Sequence, residues 1–119
     1  MSKARKAAEA SGRKAEKVAA MWLRLKGWRI LAERVRTPTG EVDLIAKRGK
    51  LVAFVEVKAR TKAQDLETAI DQRRLKRVAD AAEILYSEYC TKGEDMQIDV
   101  ILVAPRRLPI HLTNVWHGF

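Results

Sequence analysis

The first regular pattern along the chain is helical and lies in its first quarter. Between Arg13 and Lys26, apolar residues recur three or four positions apart and form one stripe, made up of Ala15, Val18, Ala19, Trp22 and Leu25. Gly27 follows at the position where a helix C-cap is expected. At about 100° per residue, Glu16 lies at the border of this stripe. A carboxylate at that border can reach over the edge of the surface on which the helix packs.

The period then changes to two, which is typical of half-buried strands. It predicts five strands, at residues 28–36, 41–47, 51–58, 98–104 and 110–116. A second helical pattern runs from Ile70 to about Tyr89. A short turn that contains Gly49 joins the second and third strands into a hairpin. The step from the third strand through the long helix to the fourth indicates a right-handed parallel crossover.

This order of elements predicts an α/β or α+β domain built on a mixed central sheet flanked by helices. The length of 119 residues fits one domain with one core. We expect residues 1–12 to form a mobile basic N-terminal segment and residues 13–119 to form that single domain. The predicted order of elements is αβββαβ with one further strand at the end.

Composition narrows the class of protein. The chain carries a net charge of +9, and residues 1–36 alone hold eleven basic and three acidic side chains. Such a density of positive charge attracts polyanions, of which nucleic acid and an anionic membrane surface are the two candidates. A disulfide scaffold is excluded because Cys90 is the only cysteine. No apolar run approaches the about 20 residues of a membrane span, so we expect a cytoplasmic protein.

Candidate chemistry lies in the hairpin. Pairing Ala46 with Leu51 would place Asp43 opposite Phe54, and opposed residues of an antiparallel pair point to the same side. The alternation of the third strand puts Val52, Phe54, Glu56 and Lys58 on one face. Asp43, Glu56 and Lys58 would then meet on this face, with Glu41 beside them.

Two carboxylates this close repel each other unless a positive charge compensates them. A hard divalent cation is one solution, because Mg²⁺ takes one or two carboxylates and leaves its other positions to water and phosphate. Lys58 cannot bind the metal while it is protonated, but it can orient a water or neutralise charge on a phosphate. The alternative is a plain ion pair between Lys58 and Asp43 or Glu56 at a sheet edge.

At these residues the chain resembles a known family. The segment from Gly40 to Ile45, followed by Phe54-Val55-Glu56-Val57-Lys58, is similar to the PD-(D/E)xK nuclease signature. More narrowly, the chain resembles the YraN family of small bacterial proteins, which are similar to archaeal Holliday-junction resolvases. The helix with Glu16 and the ending from His111 to Trp116 also fit this family. Val42 stands where the motif's name has proline.

The resemblance implies a restriction-endonuclease-like αβββαβ core and a Mg²⁺-dependent phosphodiesterase site, in which Mn²⁺ is a second candidate cofactor. Carried over residue by residue, Asp43 and Glu56 match the metal-binding acids and Lys58 matches the catalytic lysine. Glu16 matches the acid that the first helix contributes in resolvase-like members. The expected activity is therefore endonucleolytic hydrolysis of phosphodiester bonds, with branched DNA as the substrate that the relatives suggest.

Basic residues around this site are candidates for contacts with nucleic acid. They are Arg13 and Lys17 on the first helix, Arg60 after the third strand, and Arg73 and Arg74 at the start of the second helix. The expected partner is DNA, with RNA as an alternative and with no membrane. The sequence leaves three readings open: a nuclease, a non-catalytic nucleic-acid-binding module of the same fold, and a basic adaptor protein. It also leaves open whether the chain forms a homodimer.

Overall fold

The structure is a computed structural model, and it describes residues 2–60 and 70–118. The elements follow the predicted order. They are α1 (Lys3–Leu25), β1 (Arg29–Thr37), β2 (Gly40–Arg48), β3 (Leu51–Ala59), α2 (Gln72–Tyr89), β4 (Asp95–Val103) and β5 (Ile110–Leu112). None of the helices in these two ranges is both long enough and apolar enough to cross a membrane.

The five strands form one mixed sheet in the order β1-β2-β3-β4-β5. The β3–β4 pair is parallel and the other three neighbouring pairs are antiparallel. The two helices cover opposite faces of this sheet. One apolar cluster packs α1 on Ala53, Val55 and Ile101, and the other packs α2 on Val52 and Phe54. This layered arrangement confirms the predicted αβββαβ core with a mixed sheet between helices.

The register of the β2–β3 hairpin differs from the predicted one by two residues. Ala46 pairs with Ala53, and not with Leu51, because the turn is shorter than expected. Arg48 already pairs with Leu51, so only Gly49 and Lys50 remain in the loop. Gly49 has φ 63°, as the first central residue of a tight hairpin turn requires. A shift by two keeps every side chain of β3 on its predicted face.

Helix α1 is longer than predicted and is rotated about its axis. It begins at Lys3 rather than at Arg13 and passes through Gly12. Its buried face is formed by Ala15, Ala19, Ala20 and Leu23. The predicted stripe is wrong in part, because Val18 and Leu25 are exposed. At about 100° per residue, the buried face is turned by roughly a quarter of a revolution from the stripe. The small alanine side chains allow the helix backbone to approach the sheet closely.

Helix α2 begins two residues later than predicted. Asp71 is its N-cap, and the Asp71 carboxylate accepts a hydrogen bond from the backbone N–H of Arg73 at 3.0 Å.

Gly40 lies where α2 approaches the start of β2. A Cβ atom at Gly40 would lie 3.0 Å from the carbonyl oxygen of Arg77. The absence of a side chain at Gly40 therefore sets how closely α2 can pack on this end of the sheet.

Candidate functional site

A cleft of about 470 Å³ opens at one end of the sheet, between α1 and α2. Four carboxylates line it, and they come from three different elements: Glu16, Glu41, Asp43 and Glu56. Five guanidinium groups line it as well, those of Arg13, Arg34, Arg36, Arg74 and Arg77. The cleft therefore combines an acidic interior with a basic rim, which suits an anionic substrate that is bound together with a cation.

Strand β3 supplies Glu56 and Lys58. Their neighbours Val55 and Val57 face α1, so the strict alternation of β3 turns both charged side chains toward the α2 face. Both are buried, with 5% of each residue exposed. The Lys58 ammonium lies 2.9 Å from Glu56 Oε1, and the Arg74 Nε lies 3.0 Å from the same oxygen. Glu56 is among the described residues that line the cleft, whereas Lys58 is not and reaches the site only through its ion pair with Glu56.

Strand β2 does not keep strict alternation at Asp43. Val42 and Ile45 both pack in the cluster under α2 although three positions separate them, and Leu44 packs under α1. The β2–β3 ladder ends at the pair Leu44–Val55. Beyond that pair, the Asp43 side chain takes the place of a backbone partner. The carboxylate of Asp43 is thereby fixed between the two strands, at the floor of the cleft.

The Asp43 carboxylate is held in an environment that disfavours its charge. Its Oδ2 accepts a hydrogen bond from the Val57 N–H at 2.8 Å, which favours the charged form. Burial has the opposite and larger effect, and the nearby carboxylates of Glu16, Glu56 and Glu41 add to it. Together they raise the pKa of Asp43 from 3.8 to about 6. A cation bound beside Asp43 would reverse this effect.

Glu16 reaches the cleft because it lies next to the buried face of α1, which is turned from the predicted stripe toward Glu16. Only 16% of its side chain is exposed, and it forms a fork-shaped ion pair with Arg34 of β1. Arg34 Nη2 lies 2.8 Å from Glu16 Oε2, and Arg34 Nε lies 3.2 Å from each oxygen. The acid of the first helix is thus held beside the acids of the sheet.

The backbone of Arg34 is strained. Its φ is 52°, a left-handed value that costs a residue with a Cβ atom about 1–2 kcal/mol. The pairs Glu33–Leu44 and Val35–Val42 flank it in the ladder, so Arg34 lies across from Asp43. The irregularities of β1 and β2 therefore coincide. They turn an arginine and a carboxylate into the same end of the sheet.

The predicted site residues do not all lie in this cleft. Glu16, Asp43 and Glu56 line it together, and Arg13 and Arg74 lie at its rim. Lys58 is outside this lining but forms an ion pair with Glu56. Lys17 lines a smaller recess that adjoins the cleft and also includes Asp43. Arg60 lines a separate recess on the other side of α1, and Arg73 is exposed on α2 outside the cleft.

Two arginines of the cleft, Arg34 and Arg36, are not predicted as site residues from the sequence. A third, Arg77, belongs to the basic run at the start of α2, which the sequence does single out as a cluster that could grip backbone phosphate. Arg36 is two positions after Arg34 on a strand that pairs with β2. The left-handed backbone of Arg34 has no signal in the sequence, because left-handed positions are usually occupied by Gly or Asn.

Asp43 and Glu56 are the side chains that could hold a metal ion. No three His, Cys, Asp or Glu side chains within 2–60 and 70–118 are grouped closely enough to surround an ion. A pair of carboxylates fits Mg²⁺ nonetheless, because this ion is commonly bound by one or two carboxylates and completes its shell with water and phosphate. Burial is the main cause of the raised pKa of Asp43, and the neighbouring carboxylates add to it, so a cation bound here would offset both effects.

Comparison with known proteins assigns the chain to a family. Residues 15–103 match the profile of a family described as "Uncharacterised protein family UPF0102". A UPF0102 protein of Sphingopyxis alaskensis is 60% identical over 112 residues, which cover 94% of this chain and 97% of the relative. A UPF0102 protein of Caulobacter vibrioides is 43% identical over 113 residues, which cover 94% of this chain and 90% of the relative. The chain therefore belongs to the UPF0102 family, also called YraN, within the PD-(D/E)xK nuclease-like superfamily.

Proposed function

We propose that this protein is a metal-dependent endonuclease that hydrolyses phosphodiester bonds in nucleic acid, with branched DNA as the preferred substrate. One observation carries the proposal. Carboxylates from α1, β2 and β3 converge in a cleft whose rim is formed by arginines. The mutual repulsion of these acids costs stability, so their convergence needs a functional reason. Neither an adaptor surface nor a sheet edge supplies one.

In this proposal Asp43 and Glu56 hold Mg²⁺, with Mn²⁺ as a substitute. The bound ion would supply a water of lowered pKa as the nucleophile and would stabilise the charge that develops on the phosphate. Glu16 lies beside the metal-binding acids and adds negative charge at the same end of the sheet. Its ion pair with Arg34 fixes its position.

Lys58 acts from behind Glu56: it does not line the cleft, but its ammonium contacts the Glu56 carboxylate and its positive charge acts on the reacting groups from there. Burial and the ion pair with Glu56 hold the ammonium in one place, so it needs little reorganisation when negative charge develops on the phosphate. Arg74 lies at the mouth of the cleft and contacts the same Glu56 oxygen, with 61% of its side chain exposed. Its outward position suits a contact with the phosphate that follows or precedes the scissile bond.

The remaining basic residues hold the nucleic-acid backbone. Arg13 and Lys17 extend the positive rim along α1, Arg73 extends it along α2, and Arg60 does so beyond β3. Contacts of this kind release counterions, so binding should weaken steeply as salt concentration rises. Binding that does not change between low and high salt would contradict this part of the proposal.

A second candidate function is a nucleic-acid-binding module without cleavage. It is favoured by the two cations that already compensate Glu56, namely Lys58 and Arg74. In that case the acids would have a structural role, and Mg²⁺ would not be needed for binding. DNA affinity would then be the same in Mg²⁺ and in EDTA, and no product would form in either.

One set of assays separates the two functions. Linear, flapped and four-way DNA and matched RNA are incubated with the pure protein in Mg²⁺, Mn²⁺ and EDTA, and the products are resolved on gels. We expect cleavage in Mg²⁺ or Mn²⁺, and none in EDTA. If no substrate is cut and calorimetry detects no divalent ion bound in the presence of DNA, the binding module is the correct function.

Two variants then separate the ligand from the catalyst. Glu56→Gln keeps the shape of the side chain but removes its charge, so it should weaken binding of Mg²⁺ and abolish cleavage. Lys58→Met keeps most of the volume and removes a positive charge, so it should abolish cleavage while Mg²⁺ binds as well or better. Lys50→Ala, an exposed residue of the hairpin turn, is the control. If Lys58→Met cleaves as fast as the wild type, the role of Lys58 is wrong.

A further inference from the structure

A second recess lies on the other flank of α1. It has a volume of about 570 Å³, which falls within the range of about 300–1,000 Å³ typical of small-molecule sites. Its cations come from three parts of the chain: Lys14 on α1, Arg60 after β3, and Arg106 and Arg107 after β4. None of the described residues that line it is acidic. The charge of its lining therefore favours an anionic ligand, and it differs in this respect from the mixed cleft.

The floor of this recess is apolar. Ala15, Val18 and Ala59 contribute to it, together with Ala104 and Pro105 at the end of β4. Val18 is 37% exposed although it belongs to the apolar pattern of α1. An apolar floor beneath a cationic rim suits a ligand with one flat, weakly polar part and one anionic part. A nucleobase with its phosphate has this composition, and bases taken out of a duplex are commonly held against apolar side chains.

The backbone of Arg106 supports a functional role for this rim. Three described residues other than glycine have positive φ, namely Arg34, Arg106 and Asn114. Arg106 has φ 62°, a conformation in which an arginine is strained and a glycine or an asparagine is not. Of the two strained arginines, Arg34 lines the cleft and Arg106 lines the second recess. Strain of this kind is concentrated at ligand sites.

The two cavities are close enough to engage one nucleic acid. Arg13 and Glu16 line the cleft, and Lys14 and Val18 line the second recess, so α1 lies between them. Along β3, the distance from Glu56 to the residue after the strand is roughly 13 Å, at about 3.3 Å per residue. A nucleic-acid strand that is held at Glu56 can therefore place one of its nucleotides, a few positions away, in the second recess.

We propose that the second recess binds an unpaired nucleotide next to the scissile bond, with its phosphate among Lys14, Arg106 and Arg107 and its base on the floor at Val18. This inference rests on the proposed function, because it assigns the recess to the same nucleic acid. A base inside a duplex is stacked and paired and cannot reach the floor. The substrate class is consequently a duplex with a single-stranded extension or branch, and not a plain duplex.

The test is a binding measurement in EDTA, in which cleavage plays no part. Fluorescence anisotropy compares a blunt duplex with the same duplex carrying a single-stranded extension, and with one whose extension lacks bases. We expect the wild type to bind the extended duplex roughly tenfold more tightly than the blunt one, the effect of seating one base. The extension without bases should lose most of this preference.

Three variants assign the preference to the recess. Arg106→Glu combined with Arg107→Glu should abolish it, and Val18→Ser should reduce it, since all three side chains are exposed and the fold is expected to survive. Lys50→Glu combined with Lys92→Glu makes the same change of charge at the opposite end of the sheet and should preserve it. Circular dichroism verifies the fold of each variant.

The outcomes distinguish this inference from the proposed function. If the wild type binds both duplexes equally, or if the double arginine variant keeps the preference, the inference is overturned and the nuclease proposal is unaffected. If the two double variants lose the preference equally, the effect is one of net charge, and the inference is also overturned. If the wild type binds no nucleic acid at low salt, the proposed function and the inference both fail.

Discussion

The charge of Asp43 destabilises the folded protein, and we expect Asp43→Asn to remove this cost. Burial and three neighbouring carboxylates raise the pKa of Asp43 from 3.8 to about 6. A rise of that size corresponds to about 3 kcal/mol at neutral pH. Asparagine keeps the oxygen that accepts the Val57 N–H. After allowance for the burial of the amide, we expect the free energy of unfolding to rise by about 1–3 kcal/mol.

The effect has a defined dependence on pH. Because the folded pKa of Asp43 is above the unfolded one, the folded state binds the proton more tightly. The protonated carboxyl of Asp43 therefore gives the folded state a stability that is fully present below about pH 4. This stability is lost as the pH rises through about 6 and the carboxyl ionises. The difference between wild type and Asp43→Asn should consequently grow from near zero at pH 3.5 to its full value at pH 7.

Urea unfolding in EDTA measures this difference, because EDTA removes any compensation by a metal ion. In thermal unfolding at pH 7, the same gain in stability should raise the Tm by roughly 5–10 °C. Asp99→Asn is the matched control. Asp99 is fully buried, and its carboxylate accepts hydrogen bonds from Gln97, His111 and the backbone of Asn114. An amide nitrogen there would face donors, so this variant should lose about 1–3 kcal/mol.

If Asp43→Asn is no more stable than the wild type at pH 7, or if its gain is the same at every pH, the charge of Asp43 does not destabilise the folded protein. A second readout links stability to function. Mg²⁺ should raise the Tm of the wild type and leave that of Asp43→Asn unchanged, because ligand binding to the folded state alone is stabilising. The same variant should be inactive in cleavage.

Three further predictions concern two residues of the cleft, Arg34 and Gly40, and one ion pair outside it, that of Glu94 with Lys47. Arg34→Gly should unfold at higher urea than Arg34→Ala, by about 1 kcal/mol, since glycine tolerates the left-handed backbone; equal stability would contradict the strain. Gly40→Ala should lower the free energy of unfolding by about 1–3 kcal/mol because its Cβ would crowd Arg77, and an unchanged urea midpoint would argue against that contact. The hydrogen-bonded ion pair with Lys47 lowers the pKa of Glu94 from 4.5 to about 2, so Glu94 stabilises the fold above pH 4.5 and loses this effect as the pH falls toward 2. Glu94→Gln should therefore be less stable than the wild type at pH 7 and equal to it near pH 2, as measured by thermal unfolding.

The sequence predicts β3 well because its environment is regular. Val55 and Val57 alternate with Glu56 and Lys58, and a strand buried on both faces keeps this alternation whatever its register. The register itself was wrong by two residues. A period of two cannot distinguish shifts of two, and only the geometry of the turn at Gly49 decides between them.

The rotation of α1 could not be obtained from hydropathy. In an apolar pattern, the large side chains of Val18, Trp22 and Leu25 contribute more hydrophobicity than alanines do. In the structure, however, the alanines face the sheet because they permit close packing. The helix also begins earlier than its apolar stripe indicates. Gly12 lies just before the stripe, but one glycine costs a helix only about 1 kcal/mol, which a run of alanine and lysine can absorb.

The irregular backbone of β1 has a consequence for self-association. β1 is an outer strand of the sheet, and a long, flat outer strand offers its free N–H and C=O groups to a second molecule. Here the ladder slips at Leu31, and Arg34 turns left-handed three residues later. A strand bent twice within so few residues cannot match the straight hydrogen-bonding pattern of an incoming strand. The distortion that turns Arg34 toward Glu16 thus also protects this edge of the sheet from aggregation.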